Sequence, residues 1–470
     1  MILSAAEADR AAQASAYSIE GPPDSLRDEP MTDSLSAGPR AQNSSCPAVN
    51  LPTELLAEIF AFACLTGDFA AYGSLRRTRG AISLTCHRWR AVTLATPILW
   101  TTICMTCCDR VVVPPPFLIP CEVERAGNRP LDVYAISESN KHWSETVFPF
   151  IRSNLDRCRQ IQLSAPSLNG LERCFPCHAP RLETLILNWG LEDGSEADSP
   201  LIDVSKAPLI HDLYISYRAN GGSYLQLRVP PASSITRLAL VHDIPPSLVI
   251  AVVNSCPELS SLDWVHKDLS LLRDSEALAS LPTLQTLPHL QDLFLGGDLP
   301  FFYVPKFAAP HLQSLALLDI SDYNHIPRPD FHELRFPELR RFTIPDEPPR
   351  GLIPFLEAHH DLEEIALYSA PDEILISRLG AVSGSGYRFA LLKRVIVEFD
   401  IRSRRYVRKI NNLLRMRSRQ QLPFQPLTLH ICFCQPLPAI PELRRVLEGT
   451  PEHVNLTHEG SCPHSWRWIP

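Results

Sequence analysis

The sequence predicts a mixed α/β chain: a small three-helix module near the N-terminus, then a solenoid whose short strands stack into one parallel sheet on a concave face. Three observations predict it. Apolar residues at helical spacing are concentrated between Leu51 and Trp100. A Pro-x-Leu-x-x-Leu-x-Leu unit recurs through the remaining two thirds of the chain. Pro, at 44 of 470 residues, is about twice its average share, while Gly, at 19, is scarce.

Composition narrows the classes. With 44 Lys+Arg against 52 Asp+Glu the formal charge is −8, and 45 % of residues are hydrophobic. That excludes a wholly disordered protein and argues against a nucleic-acid or anionic-membrane footprint over the whole surface. No apolar run approaches the roughly 18 residues a bilayer span needs. The opening MILSAAEADRAAQ lacks the basic start and apolar stretch of a secretory signal. The expected location is therefore cytoplasm or nucleus, with the 14 Cys reduced.

Residues 1–45, rich in Ala, Ser, Asp, Glu, Pro and Gly, read as a disordered leader. Residues 46–104 read as the helical module. Leu55, Leu56, Ile59, Phe60 and Ala63 form one stripe of a first helix opened by Pro52. A loop over 66–80, with Gly67, Gly73 and Gly80, is expected next. A second helix then carries Ile82, Cys86, Trp89 and Val92, and Thr96-Pro97 reads as the N-cap of a third short segment ending near Trp100. If Trp89 packs inward, Trp89→Ala should cost roughly 3–5 kcal/mol.

Three pieces in order, Leu51-Pro52-Thr53-Glu54-Leu55-Leu56-Ala57-Glu58-Ile59-Phe60, Leu84-Thr85-Cys86-His87-Arg88-Trp89-Arg90 and Pro97-Ile98-Leu99-Trp100, resemble an F-box. The segment Val123–Val133 is also similar to the stretch just after the F-box in many large fungal F-box proteins. The resemblance implies a Skp-type adaptor as partner and, through it, a cullin-RING ubiquitin ligase. It assigns Leu51, Pro52, Glu54, Leu55, Ile59, Phe60, Cys86, Trp89 and Trp100 to the adaptor interface and the core that supports it.

Residues 105–470 read as an irregular leucine-rich-repeat solenoid. The first apolar position of the unit falls at Leu182, Ile210, Ile235, Leu259, Leu290, Leu312, Leu339, Leu362 and Leu392, steps of about 20–30 residues. The last two apolar positions alternate as on a short strand, and Pro ahead of them favours extended backbone. Asp268–Ser280 and Ser403–Arg417 read as convex helices; the Asn or Cys that usually follows the strand is missing from most copies. Alternation places Ile186, Tyr214, Arg237, Phe294, Arg341 and Arg394 on the outward face, as candidates for holding a protein substrate.

Other constellations carry less. Cys104/Cys107/Cys108 and Cys174/Cys177/His178 have pair spacings that zinc uses, but lie far apart without a second pair nearby, so no metal or cofactor is expected. There is no phosphate loop, G-x-S-x-G elbow or H-E-x-x-H. His359-His360 reads as surface. The cations between Arg402 and Arg419 read as the solvated face of an amphipathic helix. The expected function is a non-enzymatic substrate adaptor of a cullin-RING ligase, with a non-degradative protein-binding scaffold as the alternative.

Overall fold

A computed structural model describes residues 50–65, 72–108, 111–113, 118–137, 143–165, 178–190, 201–218, 225–230, 233–242, 244–266, 286–297, 307–318, 331, 334–344, 351–368, 382–383, 386–387, 392–399 and 428–433. The 1–45 leader, the Cys174/Cys177 pair, the 268–280 stretch and the basic 402–419 stretch lie outside the described residues. The chain divides into two compact units between Leu99 and Trp100. The boundary precedes 104 because Thr102–Cys108 is already a strand of the second unit.

The first unit contains helices α1 (Thr53–Leu65), α2 (Tyr72–Thr85) and α3 (His87–Ala95), and the chain then enters a single 3-10 turn, Pro97–Trp100. Pro52 opens α1 as expected, its carbonyl accepting the Leu56 N–H at 3.1 Å. The expected 66–80 loop is shorter than its glycines suggested, because α2 starts at Tyr72 and runs through Gly73 and Gly80. The expected second helix through Ile82, Cys86, Trp89 and Val92 is two helices. Cys86 is extended (φ −158°, ψ 168°), and its Sγ accepts the Trp89 N–H at 3.4 Å as the N-cap of α3. Thr96 heads the 3-10 turn through its carbonyl, which accepts the Leu99 N–H at 3.2 Å. Its hydroxyl donates backwards to the Val92 carbonyl at 2.7 Å and closes α3.

Two arginines tie this unit together. Arg79, 4 % exposed, donates from α2 to the Leu99 carbonyl at 2.9 Å, and Arg88 donates from α3 to the Leu51 carbonyl. A guanidinium inside so small a core is tolerable because it satisfies backbone carbonyls that would otherwise be left without donors.

The second unit is built on one sheet. Its first strands are β1 (Thr102–Cys108), β2 (Val111–Val113), β3 (Leu131–Ser137), β4 (Cys158–Ala165) and β5 (Thr184–Gly190). They are followed by β6 (Leu201–Asp203), β7 (Asp212–Arg218), β8 (Gln226–Arg228), β9 (Arg237–His242), β10 (Ser261–Val265), β11 (Asp292–Gly296), β12 (Ser314–Leu318), β13 (Arg341–Ile344) and β14 (Glu364–Tyr368). The short pair β15 (Val382–Ser383) and β16 (Gly386–Tyr387), then β17 (Arg394–Phe399) and β18 (Thr428–Phe433), complete the described strands. Fourteen of them form a sheet in the order β18-β17-β14-β13-β12-β11-β10-β9-β7-β5-β4-β3-β1-β2, parallel throughout except for β2 against β1. The mixed α/β class and the long parallel sheet are thus as the sequence predicts. Five strands of that sheet, β1, β2, β3, β4 and β18, were not anticipated, and among them β1, β3 and β4 lack the Pro-x-Leu signature. Their signal is only the alternation Ile103/Met105, Val133/Ala135 and Ile161/Leu163, all fully or almost fully buried.

The repeat has a more specific origin than extended backbone before a strand. In each copy the residue after Pro-x donates its N–H back to the residue before the Pro, as in Leu182 to Ala179, Ile210 to Ala207, Leu259 to Cys256, Leu290 to Leu287, Leu312 to Ala309 and Leu339 to Phe336. The Pro therefore occupies the second position of a β-turn, where its fixed φ suits the turn. The residue ahead of it is a core position: Ala179, Ala207, Cys256, Leu287, Ala309 and Phe336 are all buried. His359 holds that position in the copy at Leu362, one of three without Pro, and is 6 % exposed rather than on the surface as expected. Its Nδ1 bonds the Phe355 carbonyl at 2.7 Å and its Nε2 accepts the Phe336 N–H at 2.9 Å, so the ring is neutral with the proton on Nδ1. Burial lowers its pKa, consistent with that tautomer.

One face of the sheet is a continuous apolar ladder. Leu185, Leu187, Leu213, Ile215, Leu238, Leu240, Leu262, Trp264, Leu293, Leu295, Leu315, Leu317, Phe342 and Ile365 are each no more than 2 % exposed. Helices α4 (Leu118–Ala126), α5 (Phe148–Asn154), α6 (Pro246–Asn254) and α7 (Leu352–Ala358) connect strands, and Phe355 of α7 stacks against Phe342 of the ladder at 5.1 Å.

Candidate interaction surfaces

In the first unit α1 splits its apolar stripe in two. Leu56, Phe60 and Cys64 point inward, at 1 %, 2 % and 3 % exposure, and Phe60 packs on the Trp89 ring at 5.0 Å. Leu55, Ile59 and Phe62, at i, i+4 and i+7, face outward at 46 %, 49 % and 71 %. A helix needs one apolar side for its own core, so the second side is surplus to folding. Leu84, Leu94 and Ile98 add further exposed aliphatic side chains from the ends of α2 and α3 and from the 3-10 turn. None of Phe62, Leu84, Leu94 and Ile98 was assigned to the interface from the sequence, although Leu84 and Ile98 stand in the F-box-like pieces.

The residues assigned to the adaptor interface therefore divide. Pro52, Glu54, Leu55 and Ile59 are exposed; Leu51, Cys86 and Trp89 are half-buried. Phe60 and Trp100 are interior, and Trp100 falls in the second unit, where Arg125 stacks over its ring at 4.5 Å. These two support structure, because a side chain packed inside its own unit has no surface left to offer a partner.

In the second unit the face opposite the ladder is organised in rows by the register. One row runs Thr184, Asp212, Arg237, Ser261, Asp292, Ser314, Arg341, Glu364 and Arg394. The three arginines expected to hold a substrate are all engaged along it. Arg237 makes a two-pronged pair with Asp212, Arg341 reaches across Ser314 to Asp292 at 2.9 Å, and Arg394 pairs with Glu364 at 2.9 Å. At the other end of the sheet Arg159 clamps Asp132 with bonds of 3.0 and 2.6 Å. Burial pushes the Asp212 carboxyl up, but the bonds from Arg237 and His211 more than reverse this and hold it below the ordinary carboxylate range. These pairs stitch strands that are neighbours or, for Arg341 and Asp292, two places apart. Arg341→Ala should lower stability by less than about 1 kcal/mol in a urea titration, since both partners are nearly half exposed.

The next row runs Ile186, Tyr214, Ala239, Asp263, Phe294, Ala316 and Thr343. Ile186 and Phe294 are half-buried, but Tyr214 is only 8 % exposed, which corrects its expected openness. Strand β7 is covered on both faces, with Asp212 and Ser216 at 4 % beside it. Cys104, Cys107 and Cys108 are spread along β1, and among the described residues no group of three or more His, Cys, Asp or Glu is placed to hold a metal ion.

Comparison with protein families finds that residues 48–106 match the F-box-like model. The match spans the three helices, the 3-10 turn and the start of β1. No curated protein matches the chain in a sequence comparison.

Proposed function

From an F-box-like segment at residues 48–106, we propose that the chain is a non-enzymatic substrate adaptor of a cullin-RING ubiquitin ligase, acting in the cytoplasm or nucleus. The F-box would dock onto a Skp-type adaptor, the usual partner of such domains. The repeats, read as an irregular leucine-rich-repeat solenoid, would hold the protein substrate on the face opposite the ladder.

The observation that carries the reading is the outward stripe Leu55, Ile59 and Phe62. Three large apolar side chains on one helix face stay in water unless a partner covers them, and their burial would supply the association energy. Apolar side chains packed in the unit's own core back the stripe, so docking requires no rearrangement of α1.

The test is co-purification with a Skp-type adaptor, wild type beside the double variant Leu55→Asp and Ile59→Asp. Wild type should retain the adaptor and the variant lose it by at least a hundredfold, with helical content unchanged because both positions face solvent. A wild-type chain that is folded yet captures no adaptor would refute the reading.

A further inference from the structure

Three arginines hold one place on three successive strands. Arg129, Arg157 and Arg181 each lie three residues ahead of a register partner, Asp132 on β3, Gln160 on β4 and Thr184 on β5. They line the edge of the sheet at which these parallel strands begin, with neighbouring strands about 4.8 Å apart. The same place on β7, three residues ahead of Asp212, holds Leu209, which is 53 % exposed.

Hydrogen bonds gather the three cations. Helix α4 ends at Ala126, and Gly127, at φ +60°, turns the chain out of it. The Arg157 guanidinium donates to the Gly127 and Arg129 carbonyls, and Arg181 donates to the Asn128 carbonyl at 3.4 Å. Both groups therefore sit against the short turn that carries Arg129, at the negative end of a helix.

The cluster lacks a counter-charge. Among the described residues no carboxylate lies within 4.0 Å of these three guanidinium groups, whereas Arg159, Arg237, Arg341 and Arg394 each hold one. Arg157 is half-buried and serves the turn, but Arg129 and Arg181 are exposed. A guanidinium carries five N–H donors; Arg181 spends one nitrogen on the turn, and Arg129 makes no side-chain hydrogen bond among the described residues. The donors left over form planar forks that match carboxylate oxygens. Single-stranded nucleic acid would also need open aromatic faces, and Trp100, which Arg125 covers, is only 6 % exposed. A membrane surface calls for a larger group of cations, about four to eight.

We propose that this edge of the sheet binds an acidic protein segment lying across the starts of β3, β4, β5 and β7. Its carboxylates meet Arg129 and Arg181, Arg157 adds charge between them, and an apolar residue after the acidic run packs on Leu209. Arg129 and Arg181 stand two strands apart, roughly 10 Å, the length of about three extended residues. The site is separate from the adaptor-docking stripe on α1, so it holds or fails independently of the ligase reading.

The experiment follows the fluorescence anisotropy of a labelled peptide, GSEDEELGS, with the full-length chain. The peptide should bind wild type at about 50 mM salt and be released as salt rises to about 0.5 M. It should bind at least tenfold more weakly to the double variant Arg129→Gln and Arg181→Gln, whose thermal transition should match wild type because both positions are exposed. The neutral peptide GSQNQQLGS should not bind, and Leu209→Ser should weaken GSEDEELGS several-fold at every salt concentration. The double variant should still capture a Skp-type adaptor. Equal binding of GSEDEELGS to wild type and the double variant would overturn the proposal and move the contact to another basic stretch, such as the cations between Arg402 and Arg419. Absence of binding to a folded wild-type chain would overturn it too. So would phosphatidylserine vesicles or oligouridine that bind through Arg129 and Arg181 while the peptide does not.

Discussion

Phe60→Ala should unfold the three-helix unit, while Ile59→Ala, one position earlier on the same helix, should leave it intact. Phe60 is 2 % exposed and stacked on Trp89, so truncation leaves a cavity in the middle of the core and costs about 3–5 kcal/mol. A folded unit of about fifty residues holds only a few kcal/mol in total. Ile59 is 49 % exposed, and its truncation removes little buried area. Amide hydrogen exchange across α1, α2 and α3 in the full chain checks both variants. Protection should collapse throughout these helices for Phe60→Ala and persist for Ile59→Ala. Equal protection in the two would mean that α1 is rotated from the orientation described. The pair also separates folding from docking: Ile59→Ala should weaken adaptor capture without loss of structure, a result no core residue can give.

The second large effect is on the sheet. An Asp pushed up to about 7 in the folded chain, against the ordinary 3.8, opposes folding wherever the unfolded chain is ionised and the folded one is not. Between about pH 4 and pH 7 the folded state holds the extra proton, so this group's contribution to stability falls as pH rises. Below pH 4 both states are protonated and the penalty vanishes. Asp263→Asn should therefore match wild type near pH 4 and exceed it by as much as about 4 kcal/mol at pH 8. Urea titrations of the two proteins at matched pH measure the difference directly, and a difference that stays constant with pH would show that Asp263 ionises as an ordinary carboxylate.

Much of this architecture was legible in the residues. The alternation Leu185/Leu187 through Ile365 foretold the ladder because period-two spacing has one structural meaning when it recurs at similar intervals. Pro52 opened its helix as expected because the first helical turn tolerates a missing N–H. The repeat's turn was half legible: Pro marked the place, but the buried residue ahead of it varies from Ala to Phe to His and carries no common signature. His359 is the clearest case, since a histidine before a strand looks like surface until Phe336 and Phe355 are seen to satisfy both ring nitrogens. Helix breaks were illegible for a related reason. Ile82, Cys86, Trp89 and Val92 satisfy one helix's periodicity, and only the extended backbone at Cys86 shows that two helices share it.

By itself the sequence determined which residues are apolar, how they are spaced, and therefore that helices come first and stacked parallel strands come after them. It also carried the LPTELL, Cys86–Trp89 and Pro97–Trp100 pieces on which the F-box reading stands. Only the tertiary structure decided which apolar side chains are spent on folding and which remain for a partner, because Leu55 and Leu56 differ in nothing but the side of the helix they occupy. It likewise decided that Arg237, Arg341 and Arg394 pair with carboxylates one or two strands away and that Asp263 has no such cation. Charge pairing across a parallel sheet depends on register, and register is a relation between segments roughly 20–50 residues apart that no local pattern encodes.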